Sequence, residues 1–429
     1  MHLYKRNKLF ETSASGEKPV KLLGWATRLA LIVGLSLLLE ASSFAASVNT
    51  RSLTTRKSPS VSESQRAKKR MRTLAKGRAP RTRAARIRRH RSYERFYTSS
   101  FADATTEGDI TGGEDPIVRQ AAIEALGNLN GTVVAIEPTS GRILAMVNQK
   151  LALSSGAQPC STIKLSTALA ALSEGLIDKE TEIRLGRRSR MNLTSALAHS
   201  NNPYFEAVGR KLGFDKISYY AHQFGLGELA GYEIDGEQLG AYPEAEIPNK
   251  LGGVGKMCSF GEGISMTPLQ LGAMVASIAN GGTLYYLQHP ETPEAVADFQ
   301  PRVKRHLDIA NVIPDLSDGM AGAVEYGTAR SVRLNFSEES ILGKTGTCSH
   351  AGTRFGWFAS YSKTDIGRIV TVVFLRGGRP TYGPKAAEIA GRMYRNLYDH
   401  NFFVARSLAT PPTPDATIEK VSSPATPQE

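Results

Sequence analysis

"AQPCSTIKLSTALAALSEG", residues 157–175, sets Ser161 and Lys164 three positions apart at the mouth of an apolar run. The plain reading is a helix that Ser161 caps. Ile163, Leu165, Leu169 and Leu172 then form a buried stripe, and Gly175 supplies the stop. Lys164 disturbs that reading, because a cation in the first turn opposes the helix macrodipole. The three-residue spacing also puts it on the same face as Ser161. If that face is buried, desolvation and the dipole both lower the lysine pKa. A neutral amine beside a serine hydroxyl can act as its base. Pro159 stiffens the approach and holds the serine in place.

Working outward, the pattern on either side of this helix defines the fold. Asp115-Pro116 reads as an N-cap followed by a first-turn proline, with Gly127 as the stop. "GTVVAIEP" (131–138) and "RILAMVNQ" (142–149) are strand-like and joined by a Thr-Ser-Gly turn, a β-hairpin. Helical patterns dominate from Ser161 to about Tyr326, including "NPYFEAVGRKLG", "DKISYYAHQFG" and "TPLQLGAMVASIANGG". Ser200 or Asn202 is a candidate cap for the first of these. Three strand candidates follow, "SILGKTGT", "FGWFASYS" and "GRIVTVVFLRGG", and then a last helix, "PKAAEIAGRMYRNLYDH". Strands at both ends with helices between them predict an α/β chain of the α+β type. Its antiparallel five-stranded sheet is completed by both ends of the domain and flanked by helices, with an all-helical subdomain inserted.

The termini read differently. The chain has 429 residues and a formal charge of +13. Residues 66–95 hold fourteen Lys/Arg against one acid, Glu94, so this tract carries the whole net charge. Residues 47–112 lack apolar periodicity and read as a disordered basic linker. Residues 406–429 read as a disordered Pro/Thr-rich tail. Upstream, Lys5, Arg6, Lys8, Lys18, Lys21 and Arg28 precede the apolar run Leu29–Leu39, with small residues near Ala45 and Ala46. Residues 1–46 are therefore an export signal, with an uncleaved membrane anchor as the rival. Either way the bulk of the chain is exported, to the periplasm or the extracytoplasmic face of the cell membrane. The basic tract reads as a solvated spacer. Its alternative is adhesion to anionic membrane or wall polymers. Nucleic acid is not expected as a partner, since aromatic residues are not interleaved through the charge run, which has only Tyr93 near its end. Cys160, Cys258 and Cys348 make no disulfide framework or C-x-x-C pair, and the histidines show no ligand spacing. No metal or cofactor is expected. Oligomeric state is not legible.

Two further stretches bear on Ser161. "ALAHSNNPYF" (196–205) contains Ser200-Asn201-Asn202, a Ser-x-Asn, and "LGKTGTCS" (342–349) contains Lys344-Thr345-Gly346-Thr347 on a predicted strand. Each alone reads as a cap or an exposed strand end. Together with Ser-x-x-Lys, and in this order, they are the signature of active-site serine penicillin-recognising enzymes. From about Gly131 to Tyr398 the chain resembles the transpeptidase domain of penicillin-binding proteins. The likeness includes "VVAIEPTSGRILAMV", "PCSTIK", "FGEGISMTPLQLGAMVASIANGG" and "EYGTA".

The resemblance implies a β-lactamase/transpeptidase-like fold over residues 113–405. It also implies a peptidoglycan D,D-transpeptidase whose partners are stem peptides and β-lactams. Ser161 would be the acylated nucleophile and Lys164 its base. Ser200 would relay a proton to the leaving amine, and Asn202 would bind the substrate amide. Lys344 would keep the site electropositive. Thr345 and Thr347 would bind the substrate carboxylate through their hydroxyls, and Gly346 would let the backbone approach the ligand closely. The N–H groups of Ser161 and Thr347 would form an oxyanion hole. A D,D-carboxypeptidase is the alternative that these motifs share. A β-lactamase and a non-catalytic wall-binding protein are more distant ones. Cys160 stands where the family usually has Gly, and Leu165 where Pro is frequent. A converging oxyanion hole would bring Cys160 and Cys348 close together, either as a disulfide or as two buried thiols.

Overall fold

The computed structural model describes residues 95–363 and 368–404. The expected export signal or anchor (1–46), most of the expected basic linker (47–112) and the expected tail (406–429) lie outside the described residues. Among the described residues, no helix is long and apolar enough to cross a membrane.

The predicted sheet is present. Strands β1 (Gly131–Ile136) and β2 (Ile143–Val147) form the hairpin. Two short ribbons follow, β3 (Ile183–Arg184) with β4 (Arg190–Met191), and β5 (Thr283–Tyr285) with β6 (Val303–His306). Strands β7 (Ile341–His350), β8 (Thr353–Ser362) and β9 (Val370–Gly377) complete the set. The main sheet runs β2-β1-β9-β8-β7 and every pairing is antiparallel. β9 sits in the middle, between β8 and β1, and β1 carries β2 on its other side, so the two ends of the domain close one sheet.

Both faces of that sheet are covered, which is why its strands read as continuous apolar runs. Period-2 alternation sorts them. Val134, Ile136, Val372 and Phe374 join a core with Leu165, Leu169, Met274 and Val275 from the inserted helices. Val133, Ala135, Val373 and Leu375 join a second core with Ala121, Ala125, Ile389 and Met393 from the Pro116–Leu126 and Gly383–Asp399 helices. The Pro268–Ala279 helix lies so close that a β-carbon at Gly272 would come within 2.5 Å of Ile136 Cδ1.

Several expectations need correction. The inserted region is not all-helical, since both ribbons lie within it or at its edge. The helix after Ser161 has no single buried stripe: Lys164 through Leu172 are all buried, because the helices Asn202–Leu212, Phe214–Gln223, Gly253–Phe260 and Ile313–Glu325 pack around it. The helix Asn202–Leu212 is capped by Asn201, whose side chain accepts from the Tyr204 N–H, not by Ser200 or Asn202.

The folded unit also begins earlier than Gly113. Ser100 O accepts from the Asn130 N–H at 2.8 Å, and Gly352 O accepts from the Tyr97 N–H at 2.9 Å. Asp109 pairs with Arg119 at 3.0 Å and accepts from the N–H groups of Asn148 and Gln149. Residues 95–112 are thus held by hydrogen bonds despite a composition that reads as linker. Asp115 caps the Pro116–Leu126 helix as expected.

Candidate active site

Ser161 lies in a 3-10 turn, Cys160–Ile163, that runs directly into the helix Lys164–Ser173. It does not cap that helix, whose first turn has no side-chain cap. Its hydroxyl faces Lys164 instead, with Nζ 2.6 Å from Oγ. Lys164 is fully buried and also donates to Asn202 Oδ1 at 2.7 Å and to the Ser259 carbonyl at 2.6 Å. Phe205 lies beneath it, with the amine 5.7 Å from the ring centroid. Three acceptors for three donor positions fix this amine in one place.

Burial pushes the Lys164 pKa well below the lysine range. The charge of Lys344 pushes it further down, opposed by Glu206. Glu206 is itself engaged by Lys256 at 3.1 Å and Arg210 at 3.5 Å. When Lys164 is neutral, the shared hydrogen bond reverses: the Ser161 hydroxyl donates and the amine lone pair accepts. That is the arrangement of an activated nucleophile.

Lys344 lies on the edge strand β7, equally buried, and donates only to the Thr345 carbonyl, at 3.1 Å, among the described residues. Burial lowers its pKa to about 7. Ser200 occupies the turn between the helices Leu193–Ala198 and Asn202–Leu212, with a left-handed φ of 54°. Its hydroxyl makes no hydrogen bond among the described residues, so the predicted relay is not drawn to any of its partners.

The strand residues differ in part from expectation. The Thr345 hydroxyl donates to Thr328 Oγ1 at 2.7 Å. The donor left free by that pair is the Thr328 hydroxyl rather than that of Thr345. Thr347 Oγ1 accepts from the Gly383 N–H at 2.7 Å, which leaves its own O–H available. Within the protein, a β-carbon at Gly346 would lie 2.8 Å from the Pro159 carbonyl, so glycine is already required there. The segment before Ser161 is held against the sheet in other ways too. Trp357 Nε1 donates to Gln158 O at 3.0 Å. Cys160 and Cys348 form a disulfide, with Cα atoms 5.6 Å apart.

Sequence reasoning missed Thr328, Ser259 and Gln158. Thr328 lay inside "EYGTA", where the Thr328 N–H donates to Ala198 O and a β-carbon at Gly327 would strike that same carbonyl. Ser259 and Gln158 act through carbonyls, which no side-chain motif marks. Among the described residues there is no cluster of His, Cys, Asp or Glu able to hold a metal ion.

The family described as penicillin binding protein transpeptidase domain matches residues 131–397. This chain belongs to that family. It is 26% identical over 315 residues to Stage V sporulation protein D of Bacillus subtilis, covering 61% of this chain and 48% of that one. It is 24% identical over 366 residues to peptidoglycan D,D-transpeptidase MrdA of Acinetobacter baumannii, covering 67% and 53%. The chain therefore spans about half the length of these curated relatives. Among solved structures, the transpeptidase domain of Burkholderia pseudomallei penicillin-binding protein 3 matches with a TM-score of 0.57 at 18% identity, over 67% of this chain and 96% of that one. The D,D-transpeptidase domain of a peptidoglycan glycosyltransferase from Eggerthella lenta gives 0.54 at 20% identity, over 67% and 82%. These two likenesses concern the fold.

Proposed function

We propose that this protein is a peptidoglycan D,D-transpeptidase working through a serine acyl-enzyme at Ser161. Neutral Lys164 takes the hydroxyl proton as Oγ attacks the carbonyl carbon of the penultimate D-Ala of a donor stem peptide. The oxyanion that forms is met by the N–H groups of Ser161 and Thr347. The C–N bond breaks, and the proton held by Lys164 passes through Ser200 to the departing amine of D-Ala. An amine of a second stem peptide then attacks the ester. It loses its proton to Lys164, and the proton returns to Ser161 as the cross-link forms.

Asn202 offers the substrate a donor. Its Oδ1 is occupied by Lys164, so its amide N–H groups remain for a substrate carbonyl. The hydroxyls of Thr347 and Thr328 bind the terminal carboxylate, and Lys344 supplies the potential that disfavours charge on Lys164. In this reading the domain works outside the cytoplasm, where its substrate is. The basic tract at residues 66–95 serves in this reading as a solvated spacer, with adhesion to anionic lipid or wall polymer as its alternative.

The observation that carries the proposal is the contact of a buried, desolvated Lys164 with Ser161 Oγ at 2.6 Å. Incubation with a fluorescent penicillin tests it. The peptide containing Ser161 gains the mass of the opened β-lactam, and Ser161→Ala gains none. An adduct mapped to another residue rejects the assignment. With a D-Ala-D-Ala stem peptide plus an amine acceptor, cross-linked product is expected. Free D-Ala without cross-links would make water the acceptor and the protein a D,D-carboxypeptidase.

A further inference from the structure

Cys160 directly precedes Ser161, and Cys348 directly follows Thr347. The two half-cystines thus flank the two residues whose N–H groups meet the oxyanion. Cys160 is fully buried, and its backbone is left-handed at φ 52°. That conformation is unfavourable for any residue with a β-carbon, and glycine adopts it freely. Something must hold Cys160 there. The surrounding contacts act on its neighbours: Pro159 O accepts from the Thr162 N–H and hydroxyl at 3.1 and 2.7 Å, and Gln158 O accepts from Trp357. Among the described residues, the one link made by Cys160 itself to the sheet is the disulfide. Its partner sits on β7, paired in register with Phe355 of β8. The remaining cysteine, Cys258, is buried and unbonded.

We propose that the Cys160–Cys348 disulfide is a positioning device for acylation. It pins the left-handed turn that aims the Ser161 N–H, and ties that turn to the strand end presenting the Thr347 N–H. The bond forms by exchange with a disulfide-bearing oxidant. The two protein thiols become the protein disulfide as the oxidant's disulfide becomes two thiols, so electrons and protons balance. An oxidising compartment supplies that chemistry and the cytosol does not. Full acylating competence is thereby coupled to export. The inference rests on Ser161 as the nucleophile.

The test compares the full-length protein, Cys348→Ser and the double variant Cys160→Gly/Cys348→Ser. A fluorescent penicillin is the probe, and the limiting acylation rate is separated from the non-covalent dissociation constant. Cys348→Ser is expected to lower the limiting rate at least about tenfold, short of the ~10²–10³-fold cost of deleting an oxyanion donor, with the dissociation constant unchanged. Adding Cys160→Gly recovers most of the rate, because glycine holds the turn without the bond. Thermal melting is followed alongside. A disulfide serving stability alone would lower the melting temperature and leave acylation at low temperature unchanged. That result overturns the proposal, as does failure of Cys160→Gly to recover the rate. Should Cys348→Ser not fold, native protein reduced with dithiothreitol and alkylated gives the same comparison. A parent protein unlabelled at Ser161 sinks the serine mechanism and this inference together. A labelled parent with an unaffected Cys348→Ser sinks this inference alone.

Discussion

Two buried lysines, one on a helical wall and one on a sheet wall, stand near enough for the charge of Lys344 to act on Lys164. On the helical wall, Lys164 is held by three acceptors: Ser161, Asn202 and the Ser259 carbonyl. On the sheet wall, Lys344 has the carbonyl of its own neighbour, Thr345. Both lie below the ordinary lysine range, and burial is the leading cause for each. The difference is in what surrounds them. A base must lie within hydrogen-bond reach of the proton it takes, and the surroundings of Lys164 enforce that. A residue that acts through its field needs only to be close and desolvated, and Lys344 is held more simply.

The sharpest way to break this comparison is to make the same apolar substitution on each wall. Lys164→Met is expected to slow acylation by at least about 10³-fold, since it removes the general base and the alignment of Ser161 together. Rates of adduct formation with a fluorescent penicillin measure this. A loss no larger than that from Lys344→Met would contradict the division of roles.

Lys344→Met is expected to cost less, about 10- to 10²-fold, as an electrostatic contribution made at a distance from the reacting atoms. It also carries a stability signature. Lys344 titrates near pH 7 in the folded protein and near its ordinary ~10.4 when unfolded. Between those values the unfolded chain binds more protons, so native stability rises with pH across that window. Below it, both states are charged and the destabilisation is complete. Lys344→Met should raise the denaturation midpoint most at pH 7 and below, and flatten its rise toward pH 10. Denaturant melts across that range measure the slope, and an unchanged slope would show that Lys344 is not the group responsible.

The same two walls show what the sequence made legible. Ser161 and Lys164 were singled out by residue type and spacing, and Asn202 and Lys344 by the motifs that carry the family resemblance, because each uses a side chain with distinctive chemistry. The main sheet was legible because both faces are buried and the strands therefore stand out as apolar runs. Less legible was whatever depends on a distant backbone. The Pro159 carbonyl leaves no room for a β-carbon at Gly346, and the hydroxyl of Thr345 is claimed by Thr328. Residues 95–112 look like linker in composition, yet Asp109 meets Arg119 and two backbone N–H groups. In Ser200-Asn201-Asn202 any of the three could cap a helix. Backbone conformation chose Asn201, extended at φ −71°, over Ser200, which is left-handed. Pairing of Cys160 with Cys348 depended on which face of β7 Cys348 takes, and motif spacing does not state that.

The central claim is that Lys164 stands uncharged beside Ser161 in the free enzyme. Protein labelled with ¹³C at lysine Cε, with the Lys164 resonance assigned by its loss in Lys164→Met, measures that directly by titration. The account predicts that this resonance keeps the shift of a neutral amine down through neutral pH, while surface lysines titrate near ~10.4. A Lys164 resonance that stays in the ammonium form until the surface lysines titrate would contradict it.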